Sequence, residues 1–123
     1  MLQANELKTD MDALASDVST IQVGFLTNDK SVTLTAVDSL EKHVKQYLGD
    51  KKTITKLLPD NLKYKSSIAI NSANLIERDI AKIKTTLNDR SMRMINKQMS
   101  SQKAFLDIQN QCFRCHNLVR DWH

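Results

Sequence analysis

Apolar residues recur along this chain at intervals of three and four. Leu7, Met11, Leu14, Val18, Ile21 and Phe25 step by 4, 3, 4, 3 and 4 residues, which places them in one stripe on a helix. Glu6, Asp10, Asp12 and Asp17 fall on other faces, and Asn5 is placed to cap the N-terminus. This helix is predicted to end near Leu26. A second begins at about Ser31, with Val37, Leu40, Val44 and Leu48 as its stripe and Gly49 where a C-terminal cap belongs. A third runs from about Ser66 to Leu87 along Ala69, Ala73, Ile76, Ile80, Ile83 and Leu87. A fourth starts at the turn that follows, with Asp89 or Ser91 as cap, and reaches Asp121. Phe105, Ile108, Cys112, Cys115 and Val119 share one of its faces. Residues 50–67 hold the only proline, Pro59, and lack a clear period. They read as a connection containing a short turn of helix.

Four helices with one apolar stripe each predict an all-α protein, a four-helix bundle. The links between the first and second and between the third and fourth helices are short, which makes those pairs antiparallel. The longer 50–67 link also permits an antiparallel turn, so the expected topology is up-down-up-down in a single domain, residues 1–123. Composition agrees: two glycines and one proline are too few for a many-stranded sheet. Aromatic residues make up only 5%. The core must be aliphatic, or be completed by something that is not protein.

A net charge of +4 and a pI near 9.1 describe a solvated surface with a lysine excess, or a basic face for an acidic partner. The lysines are scattered and no aromatic platform accompanies them, which argues against nucleic-acid binding. No run of 18 apolar residues occurs, so no stable membrane insertion is expected. The N-terminal sequence has no basic region followed by an apolar stretch and does not read as a signal peptide. The chain is therefore either cytoplasmic or a mature form whose signal has been removed.

Both cysteines lie in Cys112-Phe113-Arg114-Cys115-His116. A zinc site needs a fourth ligand and usually a second Cys or His pair, and neither His43 nor His123 has that spacing. A redox dithiol of the thioredoxin kind follows a strand in an α/β context, and no strand pattern is present. A structural disulfide would close only a two-residue loop within a helix. Covalent haem attachment remains. Two cysteines three apart form thioethers to the two vinyl groups of one haem c, and the adjacent histidine reaches the iron. Such attachment takes place outside the bacterial cytoplasm, so a periplasmic location with the signal removed is expected. A haem also supplies the large flat apolar body that the aromatic-poor core lacks.

With the motif on its last helix, in Phe105-Leu106-Asp107-Ile108-Gln109-Asn110-Gln111-Cys112-Phe113-Arg114-Cys115-His116 and on to Arg120, the chain resembles the cytochrome c prime family of four-helix bundles. The resemblance extends through helix order and length. The N-terminal Asn5–Leu14 segment is similar to the opening helix of the low-spin cytochrome c-556 branch, in which a methionine at this place is the second axial ligand. Two features depart from the family: the last helix is longer before the cysteines, and residues 50–67 match nothing in it. The resemblance implies a haem near the N-terminus of the first helix and the C-terminus of the fourth. It also implies a monohaem electron carrier rather than an enzyme, with a redox protein as partner. Members of the family often dimerise through their first two helices.

Geometry singles out Met11 among the methionines. It lies about six residues into the first helix, and His116 lies about five residues from the end of the fourth, so at ~1.5 Å per residue both stand at one height. Met92, Met94 and Met99 precede His116 by 17 to 24 residues, roughly 25 to 36 Å along the helix, and are core candidates only. His116 and Met11 are thus the expected iron ligands. A saturated iron has no place for substrate and fits one-electron transfer. The alternative is a five-coordinate haem with an open distal face that binds nitric oxide or other small gases. His43 is expected to be a partly exposed surface residue and His123 a terminal one. Arg120 is placed to pair with a haem propionate, Trp122 to pack at the bundle end or haem edge, and Leu57, Leu58, Pro59, Leu62 and Tyr64 to cover the haem.

Overall fold

A computed structural model describes residues 2–58 and 60–119, with side chains for 9–56, 58 and 60–117. Helices account for almost all of it, and among the described residues there is no strand. The elements are α1 (Leu2–Leu26), α2 (Lys30–Leu48), α3 (Lys51–Leu57), a 3₁₀ helix (Asp60–Lys65), α4 (Ser66–Asn88) and α5 (Met94–Val119).

The 50–67 connection is more ordered than its weak periodicity suggests. Asp50 caps α3 by accepting a 2.7 Å hydrogen bond from the Thr53 backbone N–H, satisfying one of the donors a helix start leaves open. At the other end Lys63 Nζ donates to the carbonyls of Thr55 (2.6 Å) and Leu58 (3.1 Å). Asp29 caps α2 through a bond from the Val32 N–H. Gly49 follows α2 as expected, but with φ −71 it stays in the right-handed region. The left-handed residue is Asn28, with φ 54, in the α1–α2 turn.

Three end assignments differ from the sequence reading. Asn5 lies inside α1, which begins at Leu2. α5 begins at Met94 rather than at Asp89 or Ser91. Asp89 instead terminates α4, and its Oδ1 accepts from both the N–H and the hydroxyl of Ser91, so its capping capacity is spent within the turn.

The stripes meet in one aliphatic core. Ile21, Val37, Leu40, Ile80, Ile83 and Ile108 are fully buried, with Leu14 and Phe105 nearly so. Val18 and Leu87 pack on its edge, and Phe25 meets Phe105 at 5.5 Å between ring centroids. α1 packs along α2, α2 against α4, and α4 along α5, whereas α1 and α5 touch only sparsely. The helical bundle is therefore open along one side.

Polar residues enter the core where they find partners. Asp17, expected on a solvent face, is buried between α1 and α2. It accepts from the Ser39 hydroxyl (2.7 Å) and pairs with His43 Nδ1 (2.5 Å). His43 also stacks on Tyr47. Lys84 of α4 reaches Asp38 (2.6 Å) and Glu41 (3.0 Å) of α2, and these two carboxylates hold its pKa above the usual lysine value. Asp79 of α4 is also buried, against Asp107 of α5. No helix among the described residues is long and apolar enough to cross a membrane.

Candidate haem site

The open side of the bundle holds a cavity of about 450 Å³, within the size range of cofactor sites. α5 contributes Gln109, Cys112, Phe113, Cys115 and His116 to its wall, and α1 contributes Met11, Asp12, Leu14, Ala15, Val18, Ser19 and Gln22. Leu48 at the end of α2 and Ile76 of α4 form the floor. The wall is mostly apolar, and its polar groups sit on the two flanking helices.

Helix geometry explains the grouping on α5. Three and four residues are close to one turn, so Cys112, Cys115 and His116 project to the same side. Cys115 is buried and Cys112 half-buried, and no disulfide joins them. Burial drives the Cys112 thiol up to about 11, with the neighbouring Cys115 adding to the effect. Burial raises Cys115 as well, against the pull of Arg114. Both are therefore neutral thiols at pH 7, unlike the low-pKa thiolates of redox centres. Among the described residues no group of three or more His, Cys, Asp and Glu side chains is placed to hold a metal. Among the described residues the pair thus has no further protein ligands of the kind a structural zinc site uses.

Met11 enters the same cavity from α1, half-buried against the core. Of the sequence-derived candidates, the fold brings together Met11, Cys112, Cys115 and His116. Arg120, Trp122, His123 and Pro59 lie outside the described residues. His43 is turned to Asp17 and Tyr47 and is absent from the cavity wall. Met94 and Met99, expected in the core, are 67% and 64% exposed.

The proposed cover is partly corrected. Leu58 is buried with Ile54 and Ala69 around Cys115, so α3 and its end do support the motif from behind. Tyr64 does not, being 77% exposed with Lys65 Nζ over its ring at 5.7 Å. Sequence reasoning missed Ile54, Leu48, Ile76 and Phe113. Ala15 and Ser19 were the one available signal: small side chains one turn apart, on the same side of α1 as Met11, leave room for a group between α1 and α5.

A haem fits the residues present: a slot between two helices, mostly apolar walls, two thiols on one side with an imidazole beside them, and a thioether on the facing helix. The chain matches no known protein-family model, no characterised protein and no solved structure.

Proposed function

We propose that the protein is a monohaem c-type cytochrome that carries single electrons, with haem c bound covalently through Cys112 and Cys115. The observation that supports this most strongly is the cavity on the open side of the bundle, whose wall includes both thiols, His116 and Met11. In this reading the fold is an antiparallel up-down-up-down bundle of α1, α2, α4 and α5, of the cytochrome c prime kind, with α3 as an addition in the middle connection.

The bound haem supplies a one-electron couple. His116 of α5 and Met11 of α1 would hold its iron. Methionine ligation raises the potential relative to two histidines. Rigid helices keep both ligands in place, and the apolar wall excludes water. Arg120 is proposed to pair with a propionate. No position is left for a substrate, so the protein transfers electrons without catalysing a reaction. The location is periplasmic, where such attachment takes place. The lysine excess favours an acidic redox partner, whose association slows with salt.

The visible spectrum tests the ligand set. Sharp reduced α and β bands, unaffected by carbon monoxide, are expected. Met11→Ala should give a broad high-spin reduced spectrum that shifts with carbon monoxide. A wild-type spectrum of that second kind would replace the electron carrier with the five-coordinate gas-binding protein. A preparation that loses all its colour to acid–acetone would reject covalent haem attachment altogether.

A further inference from the structure

Four side-chain atoms among the described residues are buried without a hydrogen-bond partner: Ser72 Oγ, Asp79 Oδ2, Asp107 Oδ2 and Gln111 Oε1. All belong to α4 or α5, which pack along each other. Ser72 and Asp79 are seven apart on one stripe of α4, and Asp107 and Gln111 four apart on one stripe of α5. When the carboxyl groups are ionised, three of the four atoms are acceptors only. The seam thus has oxygens to receive a proton and too few protons to give. Native folds rarely leave such groups unpaired.

The carboxyl pair meets water at one edge. Asp79 is buried, but the Asp107 side chain is 40% exposed, so a proton reaches Asp79 by way of Asp107 without crossing the core. Burial and the facing carboxyl raise Asp79 to about 7. The cations nearby all point to solvent. Arg78 and Lys82 flank Asp79 on α4, and Lys103 and Arg114 lie one turn before and two turns after Asp107 on α5. On the α2 side of α4, Glu77 precedes Lys84 by seven residues, and Lys84 is held by Asp38 and Glu41. α3 and the 3₁₀ helix also contact α4, and α3 is fixed around Ala69, ten residues or ~15 Å from Asp79.

The pair lies close beneath the cavity. Ile76 forms part of the cavity floor one turn before Asp79 on α4. Gln109 lines the cavity from α5, and Asp107, two residues earlier, projects to the opposite side of that helix. Pair and cavity thus stand about one helix width apart, ~12 Å, across an interior that includes the buried Ile76, Ile80 and Ile108.

We propose, on the haem reading of that cavity, that the Asp79–Asp107 pair takes up one proton when the haem is reduced and releases it on oxidation, so that this carrier couples electron transfer to proton transfer. The electron comes from the redox partner and the proton from solvent. The bond formed is one O–H on a carboxylate oxygen of the pair, and oxidation breaks it and returns the proton to water. Reduction makes the cavity more negative by one charge. At ~12 Å and an effective dielectric constant near 20, one charge changes a proton affinity about tenfold.

Midpoint potential measured against pH tests this. The wild-type potential should fall between pH 5 and pH 9 by the equivalent of a tenfold change in the redox equilibrium, ~59 mV, and level off at both ends. Asp79→Asn should flatten the curve. Asp107→Asn should move the fall to lower pH, because Asp79 then faces an amide in place of a second carboxyl. Near pH 7 the infrared difference between reduced and oxidised wild type should show a carboxylic acid C=O band gained on reduction. Absence of that band overturns the proposal without any variant. So does a fall that survives Asp79→Asn, whose source is then another group, such as His43 between α1 and α2. A haem protein with a pH-independent potential overturns this proposal and leaves the cytochrome reading standing, whereas a protein that binds no haem overturns both.

Discussion

Asp79 of α4 and Asp107 of α5 set two carboxyl groups against each other, Asp79 only 5% exposed. The Oδ2 atoms of both are buried with no donor to bond them, and Arg78 stands 3.9 Å from Asp107, too far for a hydrogen bond. A shared proton is the donor the pair lacks. Burial, then the hydrogen bond and charge of Asp107, raise Asp79 from 3.8 to about 7, against the opposing charges of Arg78 and Lys82.

This pair should make the fold less stable as pH rises from about 4 to about 7. The unfolded chain releases the Asp79 proton near its ordinary pKa, while the folded chain keeps it until the raised value. The folded state is thus favoured fully below the unfolded pKa, and the advantage is gone above the folded one. At roughly 1.4 kcal/mol per unit, the shift from 3.8 to about 7 amounts to about 4 kcal/mol. Urea unfolding of wild type and Asp79→Asn at pH 5 and pH 8 measures it. The variant should be only somewhat more stable at pH 5 and clearly more stable at pH 8. A pH-independent difference would remove Asp79 as the source.

Gly24 should not tolerate a side chain. A Cβ there would stand 2.3 Å from Thr33 Oγ1 and 2.9 Å from its backbone. Thr33 cannot yield, being buried with its hydroxyl donated to the Asp29 carbonyl at 2.8 Å. Gly24→Ala should therefore cost about 1–3 kcal/mol in thermal or urea unfolding, despite the higher helix propensity of alanine.

These two sites also show what the sequence could and could not reveal. Ile21, Leu40, Ile80 and Ile108 were legible because each stripe repeats over several turns and needs no knowledge of its partner. Asp17 and Asp79 were not, since a carboxylate between apolar positions reads as a solvated face until its facing residue is known. The first half of α5 was misread for a related reason. Met99 and Ser101 offer competing stripes, and Ser101 takes the core side by bonding its hydroxyl to the Lys97 carbonyl at 2.5 Å. The thiols and His116 were legible because their grouping is local. Ile54, Leu48 and Ile76 reach the site only through packing.

Asp17 should be among the costlier polar residues to truncate. It is 8% exposed and serves two partners on α2, Ser39 and His43. Asp17→Ala leaves both without their acceptor and opens space between α1 and α2. A loss of about 2–4 kcal/mol is expected. Ser39→Ala, which removes a single bond, should cost about 1 kcal/mol. Equal losses would mean that the His43 contact contributes nothing.

The two thiols should be separable in their effects on the proposed haem attachment. Cys115 is the more deeply placed, held among Ile54, Leu58 and Ala69, whereas Cys112 lies half-buried on the cavity wall. Replacing either by alanine leaves one thiol to form a single thioether, with one vinyl group unmodified. The α band of the alkaline pyridine adduct should then shift to longer wavelength, and the colour should still survive acid–acetone. Cys115→Ala should in addition lower the unfolding midpoint more than Cys112→Ala, because it empties a position packed between α3 and α4. The double variant should release its haem to acid–acetone. Haem retained covalently by the double variant would show that attachment does not use these cysteines, and the reading of the motif would fall with it.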